Sequence, residues 1–158
     1  MTPKSTNGWL ASEDKNEINV KNYIIAGTDR HFSMREEVAP VLGAFLAEFH
    51  KLVEPIDAGT YDDWGHYFRA VRGMSKLSNH SSGTAIDVNA TKHGLGLKHT
   101  FKKEKVKVIQ ELISKYGIGW GGNYKVRKDD MHFEIIETPA QVKARIASMK
   151  LPVPKVRK

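Results

Sequence analysis

The sequence predicts a single α+β domain, and three observations support this fold class. Segments typical of strands and of helices follow one another without βαβ regularity, which favours a small antiparallel sheet flanked by helices. The chain has 158 residues, the size of one ordinary domain. Its hydrophobic fraction of 40% and charged fraction of 27% are typical of a globular protein. No apolar run approaches the roughly 18 residues that a membrane helix requires, so we expect no membrane insertion.

The first half of the chain predicts one strand and one long helix. Residues 20–26 have strand composition. Ser33 and Glu36 have the spacing of a capping box, and apolar residues then recur at the helical period as far as Val53. Pro40 is compatible with the first turn of this helix, because its missing N–H would have no partner there.

The second half predicts two strands and two further helices. Residues 84–89 and 131–136 alternate between apolar and polar side chains, as half-buried strands do. Thr100 is a plausible N-cap for a helix that ends at a glycine-rich turn, residues 117–122. Thr138 caps a last short helix.

Two terminal segments flank the predicted domain. Residues 1–17 are polar and aperiodic, which favours a flexible arm. Residues 151–158 contain two prolines and basic residues, which favours a tail. The domain itself is therefore placed at residues 18–150.

Charge and cysteine content limit the function classes. Residues 1–97 carry 10 basic and 12 acidic side chains, whereas residues 98–158 carry 15 basic and 6 acidic, so the excess of +7 lies in the second half. Such asymmetry favours a polyanionic partner such as nucleic acid, anionic lipid or an anionic cell wall. The chain has no cysteine, which excludes a disulfide framework, a thiolate zinc finger and a cysteine nucleophile.

The two alternating segments each place a possible metal ligand on one face. In residues 84–89, Asp87 lies on the face opposite the larger apolar side chains, and in residues 131–136 so does His132. If these strands are neighbours, the two side chains converge, and His80 approaches from the turn before the first strand. Two imidazoles and one carboxylate are a ligand set for catalytic zinc, which lowers the pKa of a bound water to about 7 and polarises a carbonyl.

Hydrolysis would also require a carboxylate that takes the proton from water and passes it to the leaving amine. Asp129, three residues before His132, is the candidate for this base. Asp130 and Glu134 are its neighbouring rivals.

Two motifs resemble those of a known family. Residues 78–87 contain S-x-H-x-x-G-x-A-x-D, formed by Ser78, His80, Gly83, Ala85 and Asp87. Residues 119–134 (GWGGNYKVRKDDMHFE) follow in the expected order. Together they resemble the zinc D-Ala-D-Ala carboxypeptidases and the related L-alanyl-D-glutamate endopeptidases of phage endolysins. The resemblance covers roughly residues 35–137 and implies the hedgehog/DD-peptidase type of fold.

The resemblance also implies roles for individual residues. The implied zinc ligands are His80, Asp87 and His132, and the implied catalytic base is Asp129, where many relatives have Glu. Relatives carry an arginine upstream of the first histidine that engages the substrate, a position that Arg69 or Arg72 would fill. Ser78 and Trp120 are further candidates for contact with the substrate: Ser78 either bonds the substrate or supports the loop, and Trp120 either forms the floor of the cleft or lies in the core.

The sequence thus predicts a zinc metallopeptidase that cuts the L-Ala-D-Glu bond of peptidoglycan stem peptides. We expect a monomer without a signal peptide, made in the host cytoplasm and acting on the anionic cell wall after release, with no nucleic acid partner. One alternative is the same chemistry at a D-Ala-D-Ala bond. An alternative of another class is a basic, non-catalytic module that binds cell wall or nucleic acid.

Overall fold

The computed structural model describes residues 3–158 and confirms the α+β prediction. Five strands form two antiparallel sheets. A hairpin pairs β1 (Val20–Ile24) with β2 (His31–Arg35), and a second sheet has the order β3-β5-β4, from Ala85–Asp87, His132–Ile135 and Ile118–Trp120. Three helices complete the fold, and no helix of residues 3–158 is long and apolar enough to cross a membrane.

The central helix α1 (Ala39–Leu52) forms where the apolar period predicts it, with Pro40 in its first turn. It is buried on most of its surface, so its sequence is apolar on more than one face. Phe45 and Phe49 contact Phe133 of β5, with ring centroids 4.9 and 5.6 Å apart. The core therefore lies between α1 and the apolar face of the three-stranded sheet, which leaves the other face of that sheet for polar side chains.

Helices α2 (Lys103–Tyr116) and α3 (Pro139–Met149) differ in how closely they follow the sequence prediction. The capping box of α3 is present, with Thr138 and Gln141 exchanging hydrogen bonds. Helix α2 ends at Gly117, which has a φ of 67°, as expected for a C′ glycine. Its N-cap is Lys102, because the hydroxyl of Thr100 is engaged elsewhere.

Two strands were not predicted. The segment around Ser33 is strand β2, not a helix start: the Ser33 hydroxyl accepts a hydrogen bond from the backbone of His66 instead of capping a helix. The glycine-rich segment 117–122 contains β4, whose Trp120 lies opposite Phe133. Both strands are short and are stabilised by distant partners, which local pattern does not reveal.

The terminal segments are packed against the domain rather than loosely held. Residues 1 and 2 of the predicted arm lie outside the described residues. Within the described part, Trp9 is 2% exposed and its Nε1 donates to the carbonyl of Glu137 over 2.9 Å. At the other end, the carbonyl of Lys155 accepts a hydrogen bond from Ile24 N, and Arg157 N donates to Asn22, so the tail extends along β1.

Candidate metal centre

The side chains of His80, Asp87 and His132 meet at one end of the three-stranded sheet. Asp87 is the last residue of β3 and His132 the first of β5, and the antiparallel register places them opposite each other. His80 lies in a short 3-10 helix, Asn79–Ser82, directly before β3. One ligand atom from each of the three buried side chains lies within 4.8 Å of the other two. The fold thus assembles the three residues from two strands and one turn.

The surroundings of His80 fix which ring nitrogen faces the cluster. Its Nδ1 lies 2.7 Å from the carbonyl of Gly65, which can only accept, so Nδ1 carries a proton. In the neutral ring, Nε2 is then a bare lone pair. This atom is buried without a hydrogen-bond partner and lies 3.3 Å from Oδ2 of Asp87. A nitrogen lone pair and a carboxylate oxygen repel each other unless a cation lies between them.

His132 is held in the same sense. Its Nε2 donates to Oε1 of Glu134 over 2.5 Å, which leaves Nδ1 facing Oδ1 of Asp87 at 3.1 Å. Glu134 is in turn fixed by the amide of Asn79 at 2.8 Å and the hydroxyl of Tyr124 at 2.9 Å. Glu134 therefore orients His132. A hydrogen-bonded carboxylate of this kind is a common partner of a metal-binding histidine.

Asp87 is the anionic centre of the cluster. Burial would raise the pKa of its carboxyl, but in the metal-free cluster the neighbouring imidazoles of His80 and His132 outweigh burial and hold that pKa well below its usual range. Trp64 donates its Nε1 proton to Oδ2 over 2.8 Å. The two imidazoles and this carboxylate fit a divalent metal, because each ring, when neutral, can direct an unshared electron pair toward the same cation as the carboxylate.

Asp129 and Asp130 follow each other in the chain, but their side chains are in different environments. Oδ1 of Asp129 is buried without a hydrogen-bond partner, and its side chain lines the cleft beside His132. Burial raises the pKa of the Asp129 carboxyl above its ordinary value. Asp130 points away and accepts from the backbone N–H of Thr100 at 3.0 Å and from its hydroxyl at 2.5 Å. Only Asp129 has a carboxylate available to a ligand in the cleft.

Gly121 explains how the loop that carries Asp129 lies so close to β4. The backbone N–H of Asp129 donates to the carbonyl of Gly121 over 3.1 Å. A Cβ on residue 121 would lie 2.2 Å from the Asp129 carbonyl oxygen, closer than atoms can approach. The glycine of the GWGG segment is therefore needed to position the loop.

A cleft of about 350 Å³ opens beside the cluster. Its lining includes Arg69, Arg72 and Ser78, which the sequence indicates as candidates for contact with the substrate. Arg127 and Tyr124 also line it, and the sequence did not indicate them. In residues 3–158, none of the three cleft arginines forms an ion pair, whereas Arg30, Arg35 and Arg145 each do. In the sequence, Arg127 lies two residues before Asp129. This position alone does not distinguish it, as a candidate for substrate binding, from the other basic residues of that loop.

Trp120 lies in the core, which is one of the two positions that the sequence leaves open, and not in the cleft. Its ring stacks at 8° on that of Phe133, and its Nε1 donates to the carbonyl of Asp130 over 2.8 Å. The exposed fraction of 5% leaves no surface for a substrate. Trp120 therefore supports the loop from below. Ser78 lines the cleft and also caps the 3-10 helix, with its hydroxyl accepting from His80 N at 3.3 Å.

Residues 72–135, less than half of the chain, match the model of a protein family described as D-alanyl-D-alanine carboxypeptidase. The matched segment includes the three clustered side chains and Asp129. The protein is a metallopeptidase that resembles this family over the matched segment. The resemblance noted in the two motifs is thereby confirmed. No curated protein and no solved structure matches the chain.

Enzymes of this family are metal-dependent and act on peptidoglycan peptides. The buried cluster of this metallopeptidase is compatible with that requirement, since it offers two nitrogens and one carboxylate oxygen within a short distance. The family match and the cluster together support a peptidoglycan peptidase that resembles the D-Ala-D-Ala carboxypeptidases.

Proposed function

We propose that this metallopeptidase is a zinc endopeptidase that cuts the L-Ala-D-Glu bond of peptidoglycan stem peptides, in the role of a phage endolysin. The observation that carries the proposal is the composition of the cleft. The lining includes His132 of the metal cluster, the Asp129 carboxylate, whose Oδ1 has no hydrogen-bond partner, and three arginines without ion pairs.

The proposed ligands are His80 Nε2, one oxygen of Asp87 and His132 Nδ1. When bound there, zinc supplies Lewis acidity, which polarises a peptide carbonyl and favours ionisation of water. Gly65 and Glu134 hold the two imidazoles in the tautomers that this ligation needs.

Asp129 is the proposed general base. Its Oδ1 has no protein partner, so it is free to accept the proton of the attacking water and then to donate it to the departing amine. The burial that raises its pKa favours such a shuttle, because a base with a higher pKa accepts a proton more readily.

The arginines support the endopeptidase over the carboxypeptidase reaction. Cleavage after L-Ala releases a peptide with several carboxylates, whereas cleavage of D-Ala-D-Ala releases an amino acid with one. Arg69, Arg72 and Arg127 offer three guanidinium groups in one cleft, each able to bind a carboxylate in a bidentate manner. We propose that they bind the carboxylates of the released peptide.

Mass spectrometry of digested muropeptides tests this function. We expect purified walls to release whole stem peptides, and a chelator to abolish the release. Loss of a single terminal alanine would instead identify a D-Ala-D-Ala carboxypeptidase. Binding to walls without any product would identify a non-catalytic module.

The arginine assignment is tested by a matched pair of variants. Arg127→Ala should raise KM about tenfold or more on a carboxylate-bearing stem peptide, with a smaller effect on the amidated peptide, since one charge-assisted contact is lost. Arg157→Ala is the control, because Arg157 is also exposed but lies in the tail beside β1. Equal effects of the two substitutions would remove Arg127 from the substrate site.

The basic second half of the chain is proposed to bind the anionic wall. Residues 98–158 carry 15 basic and 6 acidic side chains. Because salt screens charge attraction, lysis of walls should fall with salt more steeply than hydrolysis of a small soluble peptide. Equal salt dependence on both substrates would contradict this role.

A further inference from the structure

A third buried histidine, outside the metal cluster, lies behind the loop that carries Asp129. His93 is 3% exposed and stacks on Phe101, with the rings 3.8 Å apart at 14°. Its Nε2 lies 2.9 Å from Oε2 of Glu54, and its Nδ1 lies 2.6 Å from the hydroxyl of Thr100. The same hydroxyl lies 2.5 Å from Oδ2 of Asp130. These contacts connect α1 with the loop before β5 through four side chains.

The available donors and acceptors limit which atom can donate in these hydrogen bonds. The ionised carboxylates of Glu54 and Asp130 can only accept. Thr100 has a single hydroxyl proton, which it donates to Asp130. The two ring nitrogens of His93 contact the Thr100 hydroxyl and the Glu54 carboxylate. The ring is therefore held at both nitrogens, between Glu54 and the Thr100–Asp130 pair.

The group reaches the ends of both strands that carry metal ligands. Glu54 also accepts from the side-chain amide of Asn89 over 2.5 Å, and Asn89 lies two residues after Asp87. Asp130 lies between Asp129 and β5. A displacement of this group would therefore move the cleft side of both β3 and β5.

We propose that Glu54, His93, Thr100 and Asp130 form a clamp that positions the base Asp129 for catalysis. Because Asp130 is held on one side of the loop, the adjacent Asp129 is directed to the other side, into the cleft. None of the four belongs to the metal cluster or lines the cleft, so they are positioning residues. The role in catalysis rests on the proposed function, while the mechanical role does not.

Substitution of Thr100 tests the clamp with little change in volume. Thr100→Val removes the hydroxyl and keeps the shape, whereas Thr100→Ser keeps the hydroxyl. We expect Thr100→Val to lower kcat about tenfold to a hundredfold, since small misplacement of a catalytic group has effects of this size. KM and zinc content should stay at wild-type values, and Thr100→Ser should retain most of kcat.

A double variant extends this test to His93. Thr100→Val and His93→Leu break the same chain of hydrogen bonds, so their effects on kcat should not be additive. Equal kcat in the valine and serine variants, additive losses, or a loss that follows zinc content would overturn the proposal.

Amide hydrogen exchange provides a readout that does not require activity. In the wild-type protein, residues 123–131 should exchange more slowly than in Thr100→Val, with Thr100→Ser close to wild type. An unchanged exchange rate in Thr100→Val would overturn the clamp even if the wild-type protein cut no muropeptide. A wild-type protein without activity but with the expected exchange difference would refute the proposed function alone.

Discussion

The metal cluster and the clamp both contain buried imidazoles, but only in the metal cluster does an imidazole nitrogen lack a protein partner. Both ring nitrogens of His93 lie within hydrogen-bond distance of protein oxygens. His80 donates from one and leaves Nε2 unpaired, and on the same side of the loop Oδ1 of Asp129 is unpaired as well. The two regions lie on opposite sides of the loop that carries Asp129 and Asp130.

This difference distinguishes a buried histidine with a structural role from one with a functional role. An unpaired buried polar atom destabilises the native state, so folded proteins contain few of them. In the part of the chain that the structure describes, only three buried side-chain atoms lack a hydrogen bond, and two of them are Nε2 of His80 in the metal cluster and Oδ1 of Asp129 beside the cleft. A ligand that arrives at the cleft would satisfy both.

The largest expected effect distinguishes the two neighbouring aspartates. Asp129→Asn should lower kcat about a hundredfold to ten-thousandfold, the usual contribution of general acid–base catalysis. Asp130→Asn retains an oxygen that can accept from Thr100 and should keep most of the activity. Asp129→Glu should retain part of the rate, and zinc content should be unchanged in all three.

Measurement of kcat and bound zinc in these variants on one wall preparation checks the assignment. An inactive, zinc-loaded Asp130→Asn beside an active Asp129→Asn would show that the base is Asp130.

A smaller effect should appear in the stability of the metal-free protein. His93→Leu leaves Glu54 and Thr100 without their partner and should lower the free energy of unfolding by about 1–3 kcal/mol. His80→Leu removes one partnered nitrogen, Nδ1 at the Gly65 carbonyl, and one without a partner, Nε2, and should lower it less. Denaturant unfolding measures both.

Added zinc provides the control for this comparison. It should stabilise the His93→Leu variant and leave His80→Leu unchanged, because only the former keeps the ligand set. Stabilisation of both variants by zinc would contradict the comparison.

The smallest effect concerns the third buried atom without a hydrogen bond, Oδ2 of Asp63, which lies 3.9 Å from Nε of Arg30 and outside the cleft. Burial raises the pKa of Asp63 to about 6, and the charge of Asp62 adds to this. Because the folded pKa exceeds the unfolded value, the contribution of Asp63 to stability is fully present below about pH 4 and is lost as pH rises through 6. The wild-type protein should therefore gain about 1 kcal/mol from this group between pH 7.5 and pH 5.

Asp63→Asn should lack this gain. The free energy of unfolding of the variant, relative to that of the wild type, should therefore be higher at pH 7.5 than at pH 5. Chemical denaturation at the two pH values measures it. A difference that is the same at both would contradict the raised pKa.

Much of the fold follows from local sequence signals. The apolar period predicts α1, the capping box predicts the start of α3, and the alternation around Asp87 and His132 predicts which face each strand buries. Strand β2 was missed because Ser33 carries a local capping signal that its pairing with Asn22 overrides. Contacts with residues outside this segment therefore determine that it forms a strand.

The cleft and the clamp also differ in how far sequence predicts them. The residues of the metal cluster occur in two short motifs with fixed spacing. The clamp draws Glu54, His93, Thr100 and Asp130 from four separate segments, so no local spacing connects them. The sequence predicts Thr100 as a helix N-cap because a hydroxyl that caps a helix and one that bonds Asp130 cannot be told apart from the sequence.

The most direct test of the central claim is a zinc titration of the metal-free protein and of its His80→Ala, Asp87→Ala and His132→Ala variants, with peptidase activity followed in parallel. We expect the wild-type protein to bind one zinc per chain and to regain full activity. Each variant should bind zinc much more weakly and stay inactive at the same zinc concentration. Stoichiometric zinc in the three variants, or full wild-type activity in the presence of a chelator, would contradict it.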